Sequence, residues 1–335
     1  MSESITVLGA GAFGTAIAKL LAEGGHRVTL WGRDPSVVDA INNDHIHPRR
    51  LPKIRLPSGL KAVVDPTDAV RESTMVFSAI PTVAVRAVWE TYKPFLKNDA
   101  LVVSLTKGIE NDTLMPVSEM LKDVLDDVHH PHLAYLSGPS FALELAKRLP
   151  TAVTVASDRE ETATRVQHAV STDYFRIYTT DDVIGVELGG ALKNVIAIAA
   201  GTADGLGFGL NTQAALITRG LAEIGRLAIK MGANPMTLAG LGGMGDLVLT
   251  CTGSLSRNRT VGYKLGQGLK LNEILEELGQ VAEGVNTTKS IVQLAKREGV
   301  EMPISQGMYQ LLFNEVPASE AVYELMGRKL KRELE

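Results

Sequence analysis

Near its start the 335-residue chain passes from a short β-branched run, Ile5-Thr6-Val7-Leu8, through Gly9-Ala10-Gly11-Ala12-Phe13-Gly14 into a helical pattern from Thr15 to Glu23. Strand, GxGxxG and helix in that order form the fingerprint of a dinucleotide-binding βαβ unit. Each glycine has its own task. Gly9 permits the tight turn, Gly11 lets the backbone approach a pyrophosphate, and Gly14 lets the helix pack on the strand. The helix start then offers free N–H groups to an anion. A chain that opens this way is committed to a parallel sheet with helices on both faces.

The following residues keep that pattern. A second strand, Arg27-Val28-Thr29-Leu30-Trp31, ends at Gly32-Arg33-Asp34. An NAD-specific fold usually has an acidic residue at this strand's end. Arg33 can instead grip a 2′-phosphate, which favours NADP, while Asp34 one residue on keeps NAD open. Asp34-Pro35 also reads as an N-cap and helix start. Residues 42–60 read as a loop with several prolines and the basic pair Arg49-Arg50. Further strands are expected at 62–64, 74–80, 101–105, 133–136, 151–155 and 175–178. Lys107 and Ser140 each follow a strand's carboxyl end, where the ligand crevice of an open parallel sheet lies. Ser140 is expected to cap a helix from Phe141 to Lys147. His129-His130-Pro131-His132 matches no zinc spacing and reads as a solvated loop, so no metal is expected.

From Gly185 onward no strand pattern appears. The expected fold is therefore α/β: a Rossmann-type doubly wound sheet over residues 1–186, then an all-helical substrate domain over 187–335. At the seam stands Gly189-Gly190-Ala191-Leu192-Lys193-Asn194. Small neighbours let another backbone or a ligand come close to Lys193, read here as the head of a buried helix. Burial would lower its pKa toward neutrality, as an acid/base lysine requires. A long helix is expected from Asn211 to Gly232. Asp246 and Thr250 share one helix face. Ser256-Arg257-Asn258-Arg259 opens another helix and reads as an anion site of fork donors, hydroxyls and a helix N-terminus.

Composition closes off other classes. A net charge of −4 gives no general pull toward nucleic acid or anionic membrane. One cysteine, Cys251, excludes an internal disulfide and fits a reducing compartment, so a cytoplasmic location is expected. No apolar run is expected to approach the length of a membrane span, about 20 residues. A nicotinamide fold, two crevice lysines (Lys107, Lys193), Asp246 and an arginine-rich anion site together suggest hydride transfer to a small phosphorylated carbonyl compound. A lysine can give the proton to the forming alkoxide and stabilise its charge. A carboxylate-bearing hydroxyacid or 6-phosphogluconate-type substrate, or a non-catalytic NADP(H) sensor, would share this layout.

With those residues in view the sequence resembles the bacterial-type NAD(P)-dependent glycerol-3-phosphate dehydrogenases over essentially its whole length. The motifs are Gly9–Gly14, Thr106-Lys107-Gly108, Ser137-Gly138-Pro139-Ser140, Gly189–Asn194, Gly245-Asp246 through Thr252, Ser256-Arg257-Asn258-Arg259 and Val281-Ala282-Glu283-Gly284. The resemblance implies reduction of dihydroxyacetone phosphate to sn-glycerol 3-phosphate for glycerophospholipid synthesis. Lys193 is implied as proton donor and acceptor. Lys107, Gly138, Ser140, Asp246, Ser256, Arg257 and Asn258 would line the substrate site. Ala12, Phe13, Arg33, Lys107, Ala142, Arg257, Val281 and Glu283 match cofactor-contacting positions, as does Arg50. A homodimer is expected. This chain has Ala12-Phe13 where the family usually has serine and then tryptophan or tyrosine, so a hydroxyl contact to the pyrophosphate is lost.

Overall fold

The structure is a computed structural model that describes residues 2–279, 282–330 and 332–333. Its first half is built on eight strands: β1 (Ser4–Leu8), β2 (Arg27–Trp31), β3 (Lys61–Val63), β4 (Met75–Ser78), β5 (Leu101–Ser104), β6 (Leu133–Ser137), β7 (Thr151–Ala156) and β8 (Phe175–Thr180). They form one sheet in the order β3-β2-β1-β4-β5-β6-β7-β8. The helices between them are α1 (Ala12–Glu23), α2 (Pro35–Asn43), α3 (Thr67–Glu72), α4 (Val85–Tyr92), α5 (Val117–Val124), α6 (Ala142–Ala146) and α7 (Glu160–Val170). Strand order reverses between β1 and β4. In such sheets the crevice beyond the strands' carboxyl ends at this point receives the ligand. Gly9, Arg33, Ala79 and Lys107 all follow strands that end there.

The parallel strands are buried on both faces, as their unbroken apolar runs require. Met75 and Phe77 pack with Ile17 and Leu21 on one side, and Val76 and Val102 pack with Trp89 and Leu121 on the other. The sheet departs from the expected all-parallel form at one place, since β7 runs antiparallel to β6 before β8 resumes parallel to β7. The link between them, residues 138–150, is at the lower limit of about a dozen residues for a parallel crossover, and its helix α6 has only five residues.

The second half is helical: α8 (Val183–Gly205), α9 (Leu210–Lys230), α10 (Pro235–Ala239), α11 (Asp246–Thr252), α12 (Arg257–Gly266), α13 (Leu271–Leu278), α14 (Glu283–Glu298), α15 (Pro303–Phe313) and α16 (Ala318–Met326). A π-helical turn, Leu241–Gly245, leads into α11. Helix α8 starts ten residues before Lys193, so that lysine lies mid-helix and not at a helix head, and residues 186 and 187 fall within one helix. Gly189 and Gly190 are points of close approach, as their small size suggests. A Cβ on Gly189 would stand 2.6 Å from the Gly242 carbonyl oxygen, and one on Gly190 would stand 2.6 Å from Ser137 Oγ. Packing overrides the glycine penalty. At 23 residues α8 is also long and apolar enough to cross a membrane, contrary to the expectation from sequence, but 94% of its most apolar stretch is buried inside the protein.

Candidate active site

Four segments meet at the carboxyl end of the sheet. After β5 the chain carries Lys107 into the crevice, and after β6 it turns through Gly138. The backbone of Gly138 has φ 143, and a Cβ there would lie 2.9 Å from Val153 Cα. Only glycine tolerates both. Helix α8 presents Lys193, and the glycine-rich π turn delivers Asp246 as the first residue of α11.

The centre is one carboxylate between two ammonium groups. Lys193 Nζ donates to Asp246 Oδ1 at 2.5 Å, and Lys107 Nζ donates to Asp246 Oδ2 at 2.5 Å. Lys193 also donates to Thr250 Oγ1 at 2.9 Å, and that hydroxyl donates to the Asp246 carbonyl at 2.6 Å. Ser137 Oγ lies 3.5 Å from Asp246 Oδ2, and Lys107 also reaches the Gly138 carbonyl at 3.4 Å. Asp246 is 1% exposed and Lys193 8%, so neither charge is solvated. Burial brings Lys193 down to about 8. The Asp246 carboxylate opposes that shift, and the neighbouring Lys107 charge adds to it. Burial pushes Asp246 up, but the two lysines more than reverse it and hold the carboxyl below its usual range. The result is a lysine able to give or take a proton near neutral pH.

A second cluster forms where α12 packs on α8. Ser256 caps α12, its Oγ accepting from Arg259 N at 3.2 Å. Asn258 Nδ2 donates to Asn194 Oδ1 at 2.9 Å, and Asn258 Oδ1 accepts from Gly284 N at 3.0 Å. This ties α12 and α14 to the residue beside Lys193. Arg257 stays exposed but crowded by protein; burial lowers its pKa, with Glu283 opposing and Arg50 adding to the shift. Burial raises Glu283, while Thr82 and Arg257 pull it down. Arg259 does not face this opening, since it is paired with Asp204 at 2.5 Å.

The dinucleotide loop lies across the crevice. Gly9 has φ 114, and a Cβ on it would stand 2.5 Å from the Ala79 oxygen. A Cβ on Gly14 would stand 2.1 Å from the Gly9 oxygen, whereas one on Gly11 meets nothing within 4 Å. Gly9 and Gly14 thus close the turn and Gly11 faces open space, as a pyrophosphate cradle requires. No side chain caps α1, so its first N–H groups, at Ala12 and Phe13, point outward for an anion. Phe13 and Ala142 pack half-buried on the core edge beside it. Arg33 is exposed at the end of β2. Asp34 is engaged elsewhere: it accepts from Ser36 N at 3.0 Å as the cap of α2 and pairs with Arg49. His47 Nε2 lies 2.9 Å from the Ala10 carbonyl, and its Nδ1 accepts from Arg50 N at 3.3 Å. That ring joins the loop bearing Arg50 to the phosphate turn.

Several local expectations change. Ser140 is not a helix cap. Phe141 takes that place for α6, because the turn at Gly138 brings Ser140 Oγ back onto the Gly138 carbonyl at 3.0 Å. The histidine run is a 3₁₀ turn over Asp127–His132, with His129 3% exposed, so it is not a solvated loop. Cys251 is buried, and its thiol is pushed up to about 12. Val281 lies outside the described residues. Reasoning from sequence missed Asn194 and Thr82. Asn194 was hidden beside the lysine, and nothing in the sequence marked Thr82.

Residues 4–163 match the family described as NAD-dependent glycerol-3-phosphate dehydrogenase N-terminus, and residues 182–323 match its C-terminus. A glycerol-3-phosphate dehydrogenase (NAD(P)+) of a Geobacter species is 56% identical over 333 residues, 99% of each chain. One from Leptospira biflexa is 53% identical over 329 residues, 98% of this chain and 99% of that one. The crystal structure of a glycerol-3-phosphate dehydrogenase from Coxiella burnetii superposes with a TM-score of 0.93 at 38% identity, covering 98% of this chain and 99% of that one.

Proposed function

Because the chain belongs to the NAD-dependent glycerol-3-phosphate dehydrogenase family, we propose that its two-lysine, one-carboxylate cluster is the reacting centre of that activity. The enzyme reduces dihydroxyacetone phosphate to sn-glycerol 3-phosphate, and the reverse, with NAD(P)H, and so serves glycerophospholipid synthesis. The observation that carries the assignment of roles is the sharing of Asp246 by Lys193 and Lys107 at the sheet's switch point.

A nicotinamide cofactor, when held here, would supply the hydride for the carbonyl carbon. Gly9, Gly11, Gly14, Ala12 and Phe13 hold its pyrophosphate side. Arg33 reads the ribose end, with Arg50 on the loop beside it. Ala142, Arg257 and Glu283 complete the cofactor's surroundings. Lys193 gives the proton to the oxygen that becomes the alcohol, and takes it back in the oxidation. Lys107 adds positive charge where the alkoxide develops. Asp246 keeps both ammonium groups aimed and lets two like charges share a buried site. Arg257, with Ser256 and Asn258 at the start of α12, takes the substrate phosphate, and Gly138 and Ser140 line the site opposite. The sheet half thus binds cofactor and lends Lys107, Gly138 and Ser140 to the substrate, while the helical half supplies the rest.

Asp34, already held by Arg49 and the α2 cap, leaves Arg33 as the charge that meets a 2′-phosphate, which supports use of NADP. We further read the protein as cytoplasmic, supported by its single buried thiol, and as a homodimer. Sedimentation tests the dimer. The activity is tested by following cofactor absorbance with dihydroxyacetone phosphate and each reduced cofactor. Turnover with this ketone, and none with 3-hydroxyacids in the reverse direction, is the expected result.

A further inference from the structure

Close to Lys107, α8 buries a second carboxyl group that the reaction does not use. Glu187 Oε1 accepts from Ser118 N at 2.9 Å, in the first turn of α5. It thereby satisfies one of that helix's free N–H groups. Glu187 Oε2 is buried and has no hydrogen-bond partner among the described residues, and the same holds for Tyr135 Oη on β6. Two orphaned polar atoms this deep are rare in native proteins and point to a bridging group.

Both residues line one cavity of about 10 Å³, together with Ser104, Thr106, Lys107 and Ser137. That is the room one water needs, and a buried water needs two to four polar partners. Ser137 Oγ in turn reaches Asp246 Oδ2, and Gly190 leaves Ser137 and the Lys107 stem space to lie side by side. We propose that this cavity holds one structural water joining Glu187 Oε2, Tyr135 Oη and Ser137 Oγ, and that Glu187 is through it a positioning residue for the Lys107–Ser137 side of Asp246. The positioning role rests on the reading of Lys193, Lys107 and Asp246 given above.

The charge state of Glu187 follows from its surroundings. Burial raises it to about 8. The Ser118 groups and Lys122 on α5 oppose the rise, and Glu119 on the same helix adds to it. Asp158 after β7 faces the tyrosine side, and Lys107, Asp246 and Lys193 lie on the crevice side. At neutral pH Oε2 therefore carries a proton and donates it to the water. Above that range a carboxylate stands one water away from Lys107 and competes with Asp246 for its ammonium group.

Infrared spectroscopy of the unliganded enzyme tests the bridge without turnover. The expected result is a protonated-carboxyl band at pH 7 that fades as pH rises through about 8, is missing in Glu187→Gln and is shifted in Tyr135→Phe. No such band, or one that ignores Tyr135→Phe, overturns the proposal. Kinetics test the positioning role. Glu187→Leu should lower kcat about tenfold, the scale of a slightly misplaced catalytic group, with KM for the ketone changed less than about twofold. Glu187→Gln should recover most of that loss at pH 7 but show a shallower alkaline decline than the wild type, because one titrating group is gone. Wild-type kcat in Glu187→Leu overturns the positioning role. If Glu187→Leu does not fold, the spectra still decide the bridge and Glu187→Gln decides the positioning role, which an alkaline decline as steep as the wild type's overturns. The spectra stand whatever the role of Lys193, so failure of the bridge and failure of the reacting-centre reading are told apart.

Discussion

Lys193 has its function because of where it is buried. An exposed lysine titrates far above neutral pH, and this one is brought to about 8 by burial, with Asp246 resisting. Ketone reduction needs the protonated form, so kcat for reduction should fall as pH rises through about 8, and kcat for oxidation should rise through the same range. Asp246→Asn removes the counter-charge and leaves two ammonium groups facing each other. The reduction limb should then move at least about one unit toward acid, since like charges disfavour the protonated lysine. A limb left in place would mean that Asp246 does not set the lysine's charge. At the phosphate end, Arg257→Ala should lower kcat/KM by about 2–4 kcal/mol, the scale of a charge-assisted contact losing one partner. Arg257→Lys should recover part of this, because an ammonium keeps the charge but not the fork. Free phosphate should compete with the ketone in the wild type and much less in Arg257→Ala. At the ribose end, Arg33→Asp should move preference from NADPH toward NADH, read as the ratio of kcat/KM values, because a carboxylate repels the 2′-phosphate.

Those residues meet because two helices cross with almost nothing between them. Gly262 of α12 lies against α8 so closely that a Cβ would stand 2.0 Å from the Ile198 carbonyl oxygen, and one on Gly201 would stand 2.1 Å from the Arg259 oxygen. This contact sets Asn258 beside Asn194 and fixes the Arg257 end of α12 relative to Lys193. Gly262→Ala should therefore cost about 1–3 kcal/mol in denaturant unfolding, as overpacking does, and should lower kcat/KM through displacement of Arg257. Full stability would mean that the helices can part without loss. Elements were legible in the sequence to differing degrees. The strands and α9 announced themselves by apolar period, and α2 by the capping chemistry of Asp34, whereas Ser140, which reads as a cap, is not one. The full run of α8 was not legible, because Lys193 reads as the head of a helix that in fact begins at Val183, and the glycines before it lie mid-helix where Gly242 and Ser137 come close. The reversal of β7 was equally hidden, because no residue in the strand marks its direction and the short link before it leaves either direction open.

At the scale of the whole molecule, a sheet supplies the cofactor crevice and a helical half closes over its carboxyl end, so that a lysine from each half shares one aspartate. The sequence made the pieces legible, since Lys107 followed a strand, Lys193 stood at the seam and Asp246 opened a helix. Their convergence depends on contacts 139 and 53 positions apart along the chain, which no local pattern records. The same is true of Glu187, which looked like any polar residue before an apolar helix and proves to be buried against α5. The central claim is that Lys193 carries the proton. It is tested most directly by kcat for dihydroxyacetone phosphate reduction in Lys193→Met at pH 7, measured together with NADPH binding by fluorescence. The account predicts a fall in kcat of about 10²-fold or more, with the cofactor's Kd changed less than about threefold. A kcat near that of the wild type would contradict it.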